Sequence, residues 1–224
     1  MKLLAAAFAA LMASACASTG ATGSAQATPP LPASAPELRR VTTDSAGMAR
    51  ARADSMRLPY TAADIRFMTG MVGHHAQAIA MSRLAPSRGA SPAVQRLAER
   101  IINAQIDEIV IMHQWLVDRG QPMPPALIDP RDAMHAEHSG HMMPGMLTMK
   151  QMQELDAARG KQFDRLFLQY MIQHHTGAVA MVKELFSTPG AGQDETVFRF
   201  ATDVNVDQST EIARMNQMLA ELQP

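Results

Sequence analysis

Between Thr61 and Leu222 the apolar positions recur at alternating spacings of four and three, which predicts long amphipathic helices that each bury one seam. The first such helix carries Phe67, Met71, His74, Ala78 and Met81, and the third carries Phe167, Met171, His174, Ala178, Met181 and Leu185. The second presents Val94, Leu97, Ile101, Ile109, Met112 and Trp115, with Gln105 and Glu108 interrupting the apolar face. The fourth repeats that pattern with Val197, Ala201, Val204, Ile212, Met215 and Leu219 around Gln208 and Glu211.

End signals bound these helices. Thr61 with Asp64 three residues on makes a variant capping box, and Pro86 and Gly89 stop the helix that follows. Ser91-Pro92 opens the second helix as N-cap and first-turn proline, and Gly120 and Pro122 close it. Thr148 and Gln151 start a short helix that ends around Gly160, ahead of a third long helix from about Lys161 to Phe186 and a fourth from about Asp194 to Leu222. Short connections make consecutive helices antiparallel neighbours, so the expected fold is an all-α four-helix bundle of two antiparallel αα-hairpins.

The chain is also an internal repeat. Phe67, Met71, His74-His75, Ala78, Ala80 and Met81 return 100 positions later as Phe167, Met171, His174-His175, Ala178, Ala180 and Met181. Arg96, Ala98, Gln105, Glu108-Ile109 and Met112 return at an offset of 103 as Arg199, Ala201, Gln208, Glu211-Ile212 and Met215. The shift of three residues is expected in the loop around 187–193. Two hairpins related by a pseudo-two-fold follow, with His74 and His174 at equivalent levels. Counting outward from a turn near Arg88 sets Met71 level with Gln105 and Met68 level with Glu108, with His74 and His75 about one turn nearer the loop.

Imidazole nitrogen and thioether sulfur are donors that suit copper, and a doubled Met/His helix therefore makes copper the first candidate ligand. Methionine fills 19 of 224 positions, well beyond occasional use as a core filler. The candidate ligands on the bundle are Met71, His74, His75, Met81, Met112 and His113 in the first repeat and Met171, His174, His175, Met181 and Met215 in the second. Adjacent histidines diverge by about 100° on a helix, so one of each pair is expected on the seam and the other against a neighbouring helix or solvent. Gln105, Glu108, Gln208 and Glu211 read first as a buried polar layer that fixes register, and otherwise as groups that orient the imidazoles. The seam methionines have an equally plain reading as core.

The crossing segment between the hairpins, 121–147, is harder to read as core. His135, His138 and His141 recur every third residue beside Met134, Met142, Met143 and Met146, with no apolar periodicity, as in a copper-capturing arm. Methionine favours Cu(I), while imidazole serves Cu(II) as well. Imidazole-dependent binding is expected to weaken below about pH 6, from the reference histidine value.

Other chemistries fit less well. The formal net charge of -1 leaves no basic stripe for nucleic acid. None of the four long helices contains the Glu-x-x-His of a di-iron bundle, and no serine lies in a nucleophile motif, so no enzymatic activity is expected.

Lys2, the apolar run Leu3 to Ala13 and the small residues after it have the order of a secretory signal and are too short to span a membrane. Ala13-Ser14-Ala15-Cys16 fits ordinary signal cleavage and also resembles a bacterial lipobox, the favoured reading, with Cys16 as the lipidated residue and the membrane as a partner through that anchor. Residues 1–16 are thus a signal, and 17–57, rich in Ala, Ser, Thr and Pro, a disordered tether to a domain at 58–224. With one cysteine in the whole chain, no intramolecular disulfide can support the fold.

Asp64, Phe67, Met71, His74-His75, Ala78 and Met81, with Asp164, Phe167, Met171, His174-His175, Ala178 and Met181, resemble domain-of-unknown-function family 305, the CopM-like periplasmic proteins. The resemblance covers about Thr61 to Leu222 and implies a ferritin-like four-helix bundle outside the cytoplasm that binds copper and confers tolerance to it. One departure is Asn216, where the first repeat has His113, so a site using His113 exists in one half only. The alternative from another class is a metal-free helical interaction module of the envelope, with a methionine-rich surface as its adaptable face.

Overall fold

Side-chain caps set where the helices begin. In the computed structural model, which describes residues 59–124 and 143–222, Thr61 Oγ1 accepts from Ala63 and Asp64 N–H. The Asp64 carboxylate in turn accepts from Thr61 N–H, completing the capping box of α1 (Ala62–Arg83). Ser91 caps α2 (Pro92–Asp118), with Pro92 in its first turn. Thr148 and Gln151 form a second capping box before the short α3 (Met149–Ala157). The longest helix, α4 (Gly160–Ser187), is followed by α5 (Glu195–Glu221), whose N-cap is Asp194. The described residues are all-α, and none of their helices is long and apolar enough to cross a membrane. The signal with Cys16, the tether 17–57 and the candidate ligands Met134, His135, His138, His141 and Met142 lie outside the described residues.

The three-residue shift between the repeats does not lengthen a loop as the sequence suggested. α1 ends at Arg83, whereas α4 continues past the equivalent position to Ser187. Pro86 halts the first helix, since the residue before a proline disfavours helical geometry, and the second meets no proline until Pro189. The extra residues become one more turn of α4.

Helix α1 pairs with α2 and α4 with α5, and the two hairpins meet along α1 and α4. Two apolar clusters form the core. One gathers Ala78, Met81, Val94, Leu97, Ile101, Phe167, Met171 and Met215; the other gathers Phe67, Met71, Met112, Ala178, Met181, Val197, Phe200 and Val204. Each cluster is the repeat image of the other, so the pseudo-two-fold passes between them. The capping carboxylates obey it too. Asp64 accepts from Gly192 N–H in the loop of the second hairpin at 2.7 Å, and Asp164 accepts from Ser91 N–H in the loop of the first at 3.1 Å.

Helix α1 is buried on more than its seam. Met68, Val72, Ile79 and Ala80 have no exposed surface, which a one-seam pattern does not foresee. Leu147 from the end of the crossing segment, which hydrogen-bonds Gln77, joins the cluster of Ala78, Ala80 and Met81, as do Met152 and Leu155 of α3, a helix that itself meets α4. The far end of the first hairpin is locked to the loop of the second by Asp194, which accepts from Trp115 Nε1–H at 3.0 Å and pairs with Arg119, whose guanidinium lies over the Trp115 ring.

Candidate metal centre

Four histidines occupy the layer between the two apolar clusters, all with no exposed surface. His74 and His174 meet across the hairpin interface with ring centroids 3.8 Å apart. Each remaining histidine turns to the second helix of its own hairpin. His75 Nε2 lies 2.6 Å from a Glu108 carboxylate oxygen, and His175 Nε2–H donates to Glu211 at 2.7 Å. Neither histidine of a pair reaches solvent, so the second of each pair takes the neighbouring-helix option.

The register argued from the turn places Glu108 level with Met68, yet its carboxylate meets His75. The reason is side-chain direction. Side chains lean toward the N-terminus of their own helix, so His75 leans away from the loop and Glu108 toward it, and two long side chains close the gap.

Hydrogen bonding fixes where the lone pairs are. A carbonyl or carboxylate can only accept, so the ring nitrogen against it carries the proton. His74 Nε2–H therefore donates to Pro144 O at 3.0 Å and His175 Nε2–H to Glu211, and the Nδ1 atoms of His74, His75 and His175 are buried without a partner. Both ring nitrogens of His174 are likewise without one. Burial first, and then the neighbouring His75, pushes His74 down from 6.5 to about 3, although the Pro144 carbonyl opposes this. Burial, followed by His74, holds His174 well below its ordinary value. The expectation that imidazole-dependent binding weakens below about pH 6 is therefore corrected for these two rings, which burial shifts to titrate below that pH.

Methionines flank the layer on both sides. Met71, Met112 and Met181 lie in one cluster and Met81, Met171 and Met215 in the other. Gln105 and Gln208 are buried with their carbonyl oxygens unpartnered, and Glu108 and Glu211 are half-buried behind the outer histidines. His113 is half-buried at the far end of α2 with a buried, unpartnered Nε2, whereas its counterpart Asn216 is exposed and donates to Ile212 O.

The end of the crossing segment runs across α1 and α4 as a strap. The Gln77 side chain donates to Leu147 O at 3.0 Å and accepts from Leu147 N–H at 2.7 Å, and Gln173 donates to Gly145 O. A Cβ on Gly177 would sit 1.9 Å from Pro144 O, so only glycine admits this path. Met143 and Met146 are half-buried within the strap. Gln77, Gln173, Gly70 and Gly177 carry no seam or ligand pattern of their own, and their one signal is that they stand where the repeats disagree: Gly70 against Tyr170, Gln77 against Gly177.

Among the described residues no three His, Cys, Asp or Glu side chains form a metal-holding group. The donors that the interior offers are neutral imidazole nitrogen and thioether sulfur, a set that fits a soft ion better than a hard one.

The family model of a domain of unknown function, DUF305, matches residues 64–219. Among solved structures, a DUF305 protein from Streptomyces coelicolor described as secreted is 32% identical with a TM-score of 0.59, covering 71% of this chain and 93% of that one. A DUF305 fragment from Deinococcus radiodurans is 31% identical with a TM-score of 0.60, covering 73% and 99%. CopM in its Cu(II)-bound form is 29% identical with a TM-score of 0.56, covering 71% and 97%, and it has also been solved with Cu(I) and with Ag. No match was found among curated proteins. With the match running from the Asp64 cap of α1 almost to the end of α5, the chain belongs to the DUF305 family.

Proposed function

We propose that this chain is an exported copper-binding protein that sequesters or buffers copper in the cell envelope for metal tolerance, with Cu(I) the favoured state. The observation that carries the reading is a layer of four fully buried imidazoles, with ring nitrogens lacking partners, set between two apolar clusters that each include methionines. An unsatisfied buried polar group costs about 1–3 kcal/mol, so several together are a poor way to build a core and a good way to present lone pairs to an ion. Burial holds His74 and His174 below the ordinary histidine range, which favours the neutral rings that a metal ion needs. Glu211 behind His175 holds the tautomer that leaves Nδ1 free, as carboxylates behind metal-bound histidines do.

Copper is cargo in this reading, and the protein holds it without turning over a substrate. CopM, a structural relative, has been solved with Cu(II), Cu(I) and Ag, which supports copper as the cargo here. A secreted relative and the signal-like first 16 residues support export, with Cys16 as the anchor of a periplasmic or outer-membrane lipoprotein.

The test is copper content after purification from copper-supplemented cells, followed by competition with a Cu(I) chelator. The full chain is expected to retain copper, and a variant with His74, His75, His174 and His175 replaced is expected to surrender it. Metal-free protein that competes no better than this variant would move the assignment to a metal-free interaction module.

A further inference from the structure

Two glycines, Gly70 and Gly73, stand in the interior of α1, where each costs about 1 kcal/mol relative to alanine. Their missing side chains are used by methionine. A Cβ on Gly70 would lie 3.0 Å from Met143 Sδ and 3.5 Å from Met181 Cε, and one on Gly73 would lie 3.5 Å from Met143 Cε. The Met143 sulfur from the strap and the terminal methyl of Met181 from α4 therefore meet above a bare stretch of helix backbone. A cleft of about 410 Å³ opens there, lined by Phe67, Gly70, Met143, Pro144, Met181 and Leu185.

We infer that this cleft, between α1 and α4, is the uptake site for a soft monovalent cation, Cu(I) or Ag(I), held between the sulfurs of Met143 and Met181, and that it has no counterpart at the position related by the pseudo-two-fold. The inference rests on the copper reading and deepens it by naming the port. Access is the first reason. Met71, Met81, Met112, Met171 and Met215 have no exposed surface, whereas Met143 is half-buried and Met181 retains 8% exposure. Thioethers are neutral and do not titrate, so a monovalent soft ion binds there without releasing a proton.

Continuity with the interior is the second reason. Met143 precedes Pro144, which lines the cleft and whose carbonyl accepts from His74 Nε2–H, and His74 follows Gly70 by one turn of α1. The cleft is thus joined to the histidine layer through Pro144. The third reason is asymmetry. At the position equivalent to Gly70 the second repeat has Tyr170, whose hydroxyl donates to Glu154 of α3 at 2.6 Å, and Gln173 replaces Gly73. The image of Met181 is Met81, which is fully enclosed.

The experiment is anaerobic titration of the full chain with Cu(I) against a chromogenic chelator, repeated with Ag(I) as a redox-inert probe. Met143→Leu, Met181→Leu and Gly70→Ala are compared with wild type, with Tyr170→Phe as the variant on the other repeat. We expect the first three each to weaken one bound equivalent at least tenfold, and Tyr170→Phe to titrate as wild type. Gly70→Ala removes no ligand and favours helix, so its loss of binding reports the filled cleft. Should it misfold, Met143→Leu, a volume-conserving change outside any helix, carries the test. Wild-type binding with all variants unchanged overturns the port and leaves the copper reading standing. Failure of wild type to bind either ion overturns both.

Discussion

In the first hairpin His75 meets Glu108 at 2.6 Å, and in the second His175 meets Glu211 at 2.7 Å; Asp64 and Asp164 likewise cap each other's loops. The outer faces of α1 and α4 show no such likeness. Gly70, Gly73 and Gln77 stand on one, and Tyr170, Gln173 and Gly177 on the other. The matched residues build the frame and the buried histidine layer. The unmatched ones receive the strap, which as a single stretch of chain cannot obey a two-fold axis: it needs clearance at Gly177, a grip at Gln77 and Gln173, and room for Met143 over Gly70. Duplication supplied a symmetric interior, and the crossing segment made its surface one-sided.

The largest expected effect breaks the symmetric layer with acid. His74 titrates at about 3 when folded and 6.5 when unfolded, so the unfolded chain takes up protons first as pH falls. Stability is complete above pH 6.5 and is lost progressively toward 3, at up to about 1.4 kcal/mol per pH unit for one such ring. His174 is shifted in the same direction and adds to the slope. Urea unfolding at pH 7, 5 and 4 should show a steep fall, and replacement of His74 and His174 by glutamine should flatten it. A flat profile in wild type would mean that these rings are not buried neutral.

Next come the unmatched positions. Gly177→Ala drives a methyl into the Pro144 carbonyl and should cost about 2–4 kcal/mol in chemical unfolding. Gln77→Ala, its counterpart, loses two buried hydrogen bonds to Leu147 and should cost about 1–3 kcal/mol. A neutral Gly177→Ala would show that the strap does not lie in this groove.

The smallest effect sharpens the matched half. Glu108→Gln and Glu211→Gln should each cost roughly 1 kcal/mol, because both carboxylates are partly exposed. Their costs should agree within about 0.5 kcal/mol, the usual scatter between independent sites. A clear inequality would show that the two hairpins are not energetic equivalents.

How far the sequence revealed this follows the same division. Thr61 with Asp64, Ser91-Pro92 and Thr148 with Gln151 are local signals, and each caps the helix it announces. The level pairing of His74 with His174 was legible because the repeat itself encodes it. The strap was not. Its contacts join residues about 70 positions apart, such as Gln77 with Leu147 and His74 with Pro144, and no periodicity reports them. The depth of burial of the imidazoles was hidden for a related reason, since α1 looks one-sided until α4 and the strap are laid against it. A usable signal existed in the mismatches between the repeats, above all Gly70 against Tyr170.

Most direct for the central claim is Cu K-edge X-ray absorption on the full chain loaded anaerobically with Cu(I). The expected result is a first coordination shell containing sulfur, with imidazole nitrogen alongside it, and a diminished sulfur contribution in the Met143→Leu/Met181→Leu double variant. A shell of nitrogen and oxygen alone, unchanged in that variant, would contradict the assignment of methionine as the ligand that receives the ion.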